Sequence, residues 1–141
     1  MSDAITRIID SLGAGVPVLL LHFATTLVLL GVGVLVYMAV TPFRERELIR
    51  EGNIAAGIMS LGILLGLAIP LAATLANSVV WLDIVLWGAV AVILQIVTFL
   101  VATLLVPSLR HMIEAGNPAA ALAMVGIQLA VALLNAGAMS G

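Results

Sequence analysis

Charge is confined to a few points of this chain. Asp, Glu and Arg occur only at Asp3, Arg7, Asp10, in a cluster from Arg44 to Glu51, at Asp83, and at Arg110 and Glu114. Between them lie four charge-free stretches, 11–43, 52–82, 84–109 and 115–141. A helix needs about 20 mostly apolar residues to cross about 30 Å of hydrocarbon, and each stretch is long enough. Unpaired backbone polar groups are not tolerated in lipid, so each stretch is expected to be helical. The alternating ten-residue segments of a membrane β-barrel are absent. Composition agrees: 64% of residues are hydrophobic and 9% charged, against about 25% charged in a soluble domain. The expected fold is all-α, a single polytopic membrane domain over 1–141 with four transmembrane helices.

Local signals trim these spans. Thr41-Pro42 closes a first helix of about Val16–Val40. Asn53 can cap a second that runs to about Ala76. A third runs from about Val79 to Val106 and stops at Pro107. Asn117 caps a fourth, with Pro118 as its first residue, ending near Asn135. Ahead of these, Ile5, Ile8, Ile9 and Leu12 share a helical face opposite Asp3, Arg7 and Asp10. That spacing points to a surface helix over 1–15, with a frayed terminus as the alternative.

Residues 49–56, Ile-Arg-Glu-Gly-Asn-Ile-Ala-Ala, align with 113–120, Ile-Glu-Ala-Gly-Asn-Pro-Ala-Ala, at an offset of 64. The same offset pairs Leu48 with Met112, Arg46 with Arg110, Gly62 with Gly126 and Ala68 with Ala132. The chain therefore reads as two helical-hairpin repeats, 16–76 and 79–137. A two-helix unit restores its own direction, so the repeats should be parallel, related by an axis along the membrane normal. In each, a short polar helix (about 42–51, about 107–115) leads into a Gly-Asn corner. Gly52 and Gly116 suit the left-handed residue that ends a helix, and Asn53 and Asn117 then cap the next. Arg50, Glu51, Gly52, Asn53, Glu114, Gly116 and Asn117 thus form either two paired sites or two corners built for backbone reasons.

Four arginines, Arg44, Arg46, Arg50 and Arg110, lie on the corner side and Arg7 alone on the other. By the positive-inside rule the loops 42–52 and 107–117 face the cytoplasm and both termini the periplasm. Small residues mark candidate packing faces: Gly62 and Gly66 in helix 2, and Ala119, Ala123, Gly126 and Ala130 in helix 4. Such faces serve internal packing or a homo-oligomer. Pro70 is expected to kink helix 2.

Polar groups inside a bilayer are functional candidates. Gln95 and Gln128 fall at similar mid-membrane depth and can hydrogen-bond across helices 3 and 4, as interhelical glue or as the lining of a polar path. His22, Asp83 and Asn135 gather toward the outer side, as a proton relay or as ordinary interfacial residues beside Trp81 and Trp87. No nucleophile–base pair, phosphate loop or metal cluster appears, so no enzyme, cofactor or metal site is expected. Five arginines against seven acids, without lysine, exclude an electrostatic nucleic-acid binder.

Read together, Tyr37-x3-Thr41-Pro42, Glu47-Leu48-Ile49-Arg50-Glu51-Gly52-Asn53-x-Ala55-Ala56, Gly66-x3-Pro70-Leu71-Ala72, Trp87-Gly88, Gln95 and Leu134-Asn135-Ala136 form one pattern. It resembles the bacterial inner-membrane family known as domain of unknown function 350, from about Phe23 to Met139. The resemblance implies a four-helix protein of the bacterial inner membrane with a duplicated hairpin, and by association a role in envelope maintenance. Two functions stand beside each other. One is an oligomeric scaffold in the lipid bilayer that recruits a cytoplasmic protein partner through loop 42–52. The other is a channel or transporter subunit with a polar path near helices 3 and 4.

Overall fold

The computed structural model describes residues 2–41 and 44–140. Six helices follow in order: α1 (Ser2–Val40), α2 (Glu45–Arg50), α3 (Ile54–Asn77), α4 (Trp81–Leu105), α5 (Leu109–Glu114) and α6 (Pro118–Ala138). Among the described residues no strand forms. The helices α1, α3, α4 and α6 are long and apolar enough to cross a membrane, and the chain is an all-α polytopic membrane protein. The short α2 and α5 join the spans at one end.

The expected surface helix over 1–15 is not a separate element. It continues without a break into the first span, giving a helix of 39 residues. Gly13 and Gly15 keep right-handed backbone, since only Gly52 and Gly116 have positive φ. Pro17 lies inside the helix, where it removes one N–H, that directed at the Gly13 carbonyl. The remaining boundaries follow the local signals within a residue or two, except that α6 continues one turn past Asn135. The start of the first polar helix, expected near 42, falls partly outside the described residues.

Helix directions can be read from which residues meet. Along α3 and α6, Gly62 faces Val125, Gly66 faces Gln128, Thr74 reaches Met139 and Asn77 reaches Ser140. Both sequence numbers rise together, so the two helices run parallel. Along α1 and α4, Leu29 faces Gly88, Gly33 faces Val92, and the rings of Tyr37 and Phe99 meet edge to face at 4.7 Å. These helices are parallel too. The α3–α6 pair makes the most extensive contact, α4 touches α1, α3 and α6, and α1 rests on α3 and α4.

The core between them holds Met59, Ile63, Leu67, Leu71, Phe99, Ile113, Met124 and Val125. In lipid there is no hydrophobic force between helices, so close packing must hold them. Gly62 supplies it: a Cβ there would overlap the Val125 side chain. The partner face of α6 is Ala120, Ala121, Met124, Val125, Gln128 and Ala132. The expected face is therefore corrected by one position. Ala119, Ala123, Gly126 and Ala130 are exposed, and a Cβ on Gly126 would meet nothing within 4 Å. The reason is geometric: a Val125 methyl fills the notch at Gly62, and neighbouring helix residues differ in direction by about 100°. Pro70 is buried inside α3, and the helix continues through it to Asn77.

Candidate functional site

The two Gly-Asn corners form as the sequence predicts. Gly52 and Gly116 adopt φ of 81° and 83°, a region costly for residues with a Cβ. The Asn53 side chain accepts from the N–H of Ala56 at 3.0 Å, and Asn117 accepts from Ala119 and Ala120 at 3.0 and 3.3 Å. The new feature is that the corners are fastened to each other. Asn53 Nδ2 donates to the Ile113 and Glu114 carbonyls at 3.3 and 3.2 Å. One amide therefore caps α3 with its oxygen and holds the end of α5 with its nitrogen.

Charge decorates this joined face. Arg110 pairs with Glu114 at 2.9 Å and Arg44 with Glu47 at 3.4 Å. Both pairs are exposed enough that each contributes at most about 1 kcal/mol. Arg46, Arg50 and Glu51 are exposed and take part in neither pair. Glu45 differs. It is half-buried, and burial raises its carboxyl above the ordinary range, opposed by the nearby Tyr37 hydroxyl. Tyr37 is 3% exposed. Its hydroxyl and Glu45 Oε1 are buried, and neither reaches a hydrogen-bond partner by distance and angle. Tyr37 and Glu45 were not singled out as site residues by sequence reasoning. The available signal was that this tyrosine is the chain's single one, placed eight positions before a carboxylate.

Deeper, Gln95 Nε2 donates to the Gln128 main-chain carbonyl at 2.9 Å. The two glutamines meet as expected, though through backbone on one side. Gly66 makes room for them: a Cβ there would lie 2.7 Å from Gln95 Nε2 and 3.4 Å from Gln128 Oε1. Gln95 Oε1 stays buried without a partner. Beside it is a cavity of about 10 Å³ bordered by Tyr37, Phe99 and Gln128, room for about one water.

The outer polar group does not assemble into a relay. Asp83 borders a cavity of about 350 Å³ with Thr74, Asn77, Trp87 and Met139. His22 borders a different groove, between α1 and Leu75. No ion pair joins His22 to Asp83. Asn135 Nδ2 is buried without a partner, while its carbonyl accepts from Met139 N–H. Among the described residues, no three metal-ligating side chains gather.

Comparison with known proteins now adds to this geometry. The family model described as Domain of Unknown Function (DUF350) matches residues 11–139. UPF0719 inner membrane protein YjfL of Escherichia coli (strain K12) is 35% identical over 105 residues, 74% of this chain and 80% of that protein. The protein of the same name from Escherichia coli O157:H7 has the same identity and coverage. No solved structure matches. Together with the four apolar spans, these relatives make the chain a multi-pass inner-membrane protein, and it belongs to the DUF350 family.

Proposed function

We propose that the chain is a non-catalytic, homo-oligomeric scaffold of the inner membrane, acting in envelope maintenance. Its joined corners would form a cytoplasmic platform that recruits a protein partner through loop 42–52. The observation that carries this reading is the pair of bonds from Asn53 to the Ile113 and Glu114 carbonyls. They fix two charged corners, 60 and 61 residues apart, as one rigid surface. Further support comes from the duplicated plan. Partners along both parallel helix pairs keep a nearly constant sequence separation, as two parallel hairpin repeats would. The arginine bias favours corners inside and termini outside. The exposed stripe Ala119, Ala123, Gly126 and Ala130 on α6 is the kind of face that lets a second copy approach closely in lipid.

Affinity capture from cross-linked membranes tests the platform, wild type beside Arg44→Ala/Arg46→Ala/Arg50→Ala. The triple variant should lose specific partners, and identical partner sets would remove the loop from the mechanism. Ala123→Cys should give disulfide-linked dimers under oxidation, and a monomer throughout would remove the oligomer. For orientation, Ser140→Cys should react with an impermeant thiol reagent in intact cells and Ser108→Cys should not.

The channel reading rests on the unpartnered Gln95 Oε1 beside its small cavity. Gln95 and Gln128 are 4% and 2% exposed within one chain, so a path lined by them requires its helices to part. Flux through liposomes that Gln95→Leu/Gln128→Leu abolishes would favour it over the scaffold.

A further inference from the structure

Buried polar atoms are normally hydrogen-bonded, and an unpaired one asks for a missing partner. Two of those found here are Tyr37 Oη and Glu45 Oε1, and both residues line one groove of about 240 Å³ between α1, α2 and α3. Val34, Met38, Ile63 and Leu64 make its apolar wall, and Arg46 stands at its rim. The groove lies where α1 leaves its apolar span and the charged α2 begins, the depth at which lipid headgroups sit.

We propose that this groove binds a phospholipid whose headgroup carries a primary ammonium, as phosphatidylethanolamine does. The ammonium sits against Glu45 and Tyr37, the phosphate against Arg46, and the acyl chain along Val34, Met38, Ile63 and Leu64. Each part of the ligand answers a feature of the site. A primary ammonium has three N–H donors, and the site offers acceptor lone pairs on the Glu45 carboxyl and on the Tyr37 hydroxyl oxygen. Glu45 resists ionisation through burial, a cost that an adjacent cation offsets. Arg46 is exposed and takes part in neither ion pair, leaving its guanidinium for a phosphate oxygen. The apolar wall calls for hydrocarbon and so for a lipid in place of a soluble amine. An anionic lipid such as phosphatidylglycerol would bring its charge toward Glu45 with neutral hydroxyl donors and no cation to offset it.

The full-length protein in detergent is equilibrated with phosphatidylethanolamine, its mono- and dimethyl derivatives, phosphatidylcholine and phosphatidylglycerol, all with the same acyl chains. Retained lipid is counted by native mass spectrometry. Charge-assisted hydrogen bonds predict roughly tenfold more retention of phosphatidylethanolamine than of phosphatidylcholine, falling with each N-methyl group added. Phosphatidylglycerol should be retained no better than phosphatidylcholine. Glu45→Gln and Tyr37→Phe should shrink the preference toward unity. Arg46→Ala should weaken both lipids alike, and Arg50→Ala should change neither. Equal retention across the methyl series overturns the proposal with the wild-type protein alone, whatever the variants do. A preference that survives in folded Glu45→Gln also overturns it. Displacement of the bound lipid by millimolar O-phosphoethanolamine would assign the site to a soluble headgroup and overturn the lipid as its ligand.

Discussion

Gly62 and Gly126 occupy corresponding places, 64 residues apart, yet replacing each by alanine should have opposite consequences. At Gly62 an added methyl overlaps a Val125 methyl and lies 3.1 Å from Val125 Cβ and 3.2 Å from its other methyl. Valine cannot swing away. Its branched Cβ has one strongly preferred rotamer in a helix, and turning it presents another methyl to the same notch. The helices must therefore separate, and overpacking of this kind costs about 1–3 kcal/mol. Alanine returns about 1 kcal/mol of helix propensity, so Gly62→Ala loses about 0–2 kcal/mol net. At Gly126 no other part of the chain lies within 4 Å, so in dissociated, monomeric protein only the propensity gain remains. The propensity contribution cancels between the two variants, and their difference of about 1–3 kcal/mol isolates the overpacking. Reversible unfolding by sodium dodecyl sulfate in mixed micelles measures it, followed by Trp81 and Trp87 fluorescence and by circular dichroism. Two variants that shift by the same amount would refute the notch. The double variant Gly62→Ala/Val125→Ala should recover part of the loss, because it removes the methyls that collide.

Three more expectations follow from the same geometry. Gln95→Leu loses the bond to the Gln128 carbonyl, worth about 0.6–2 kcal/mol in a membrane, but also removes the unpaired Oε1. Its net cost in the same titration should stay within about 1 kcal/mol, and a loss above about 3 kcal/mol would mean that the node does more than join two helices. Asn53→Ala gives up a cap and the bonds to α5, whereas Asn117→Ala gives up a cap alone. Each cap is worth about 1 kcal/mol, and Asn53→Ala should cost about 1 kcal/mol more; equal losses would show that the corners are not fastened. For Glu45, burial raises the folded pKa, so the folded state holds its proton more tightly than the unfolded one. Its stabilising contribution is full below the ordinary glutamate pKa and is lost as pH rises through the raised value. Detergent-unfolding midpoints across pH 4–8 should therefore fall with pH more in wild type than in Glu45→Gln, and parallel curves would refute it.

The membrane spans and corners were legible because they rest on features a linear pattern carries. Charge-free length, a proline at an end, and Gly-Asn at a turn each have a local physical cause. The pairing of Gln95 with Gln128 could be anticipated from depth alone. The packing face of α6 was not legible, because this helix has small residues on every side. Which side is buried depends on a methyl of Val125 entering a notch on another helix. The meeting of Tyr37 with Glu45 was hidden for a similar reason, since it needs α2 to fold back toward the end of α1. The length of α1 was obscured by the charges at Arg7 and Asp10, which look like the edge of a span although the backbone continues through them.

That long helix has a mechanical consequence. From Asp3 to Leu21 every described side chain of α1 is exposed, and the first residue held against another helix by a close-packed glycine is Leu29, at Gly88. The free portion is an unsupported beam of about 30 Å at 1.5 Å per residue. A pivot of about 20°, the average tilt of a membrane helix, would carry its tip through about 10 Å. The angle of the beam is therefore open to the bilayer around it, with Leu75 of α3 the bundle residue that shares a groove with it. A change in bilayer thickness or lateral tension would turn into a displacement at residues 2–10, while the Asn53 latch at the far end stays still.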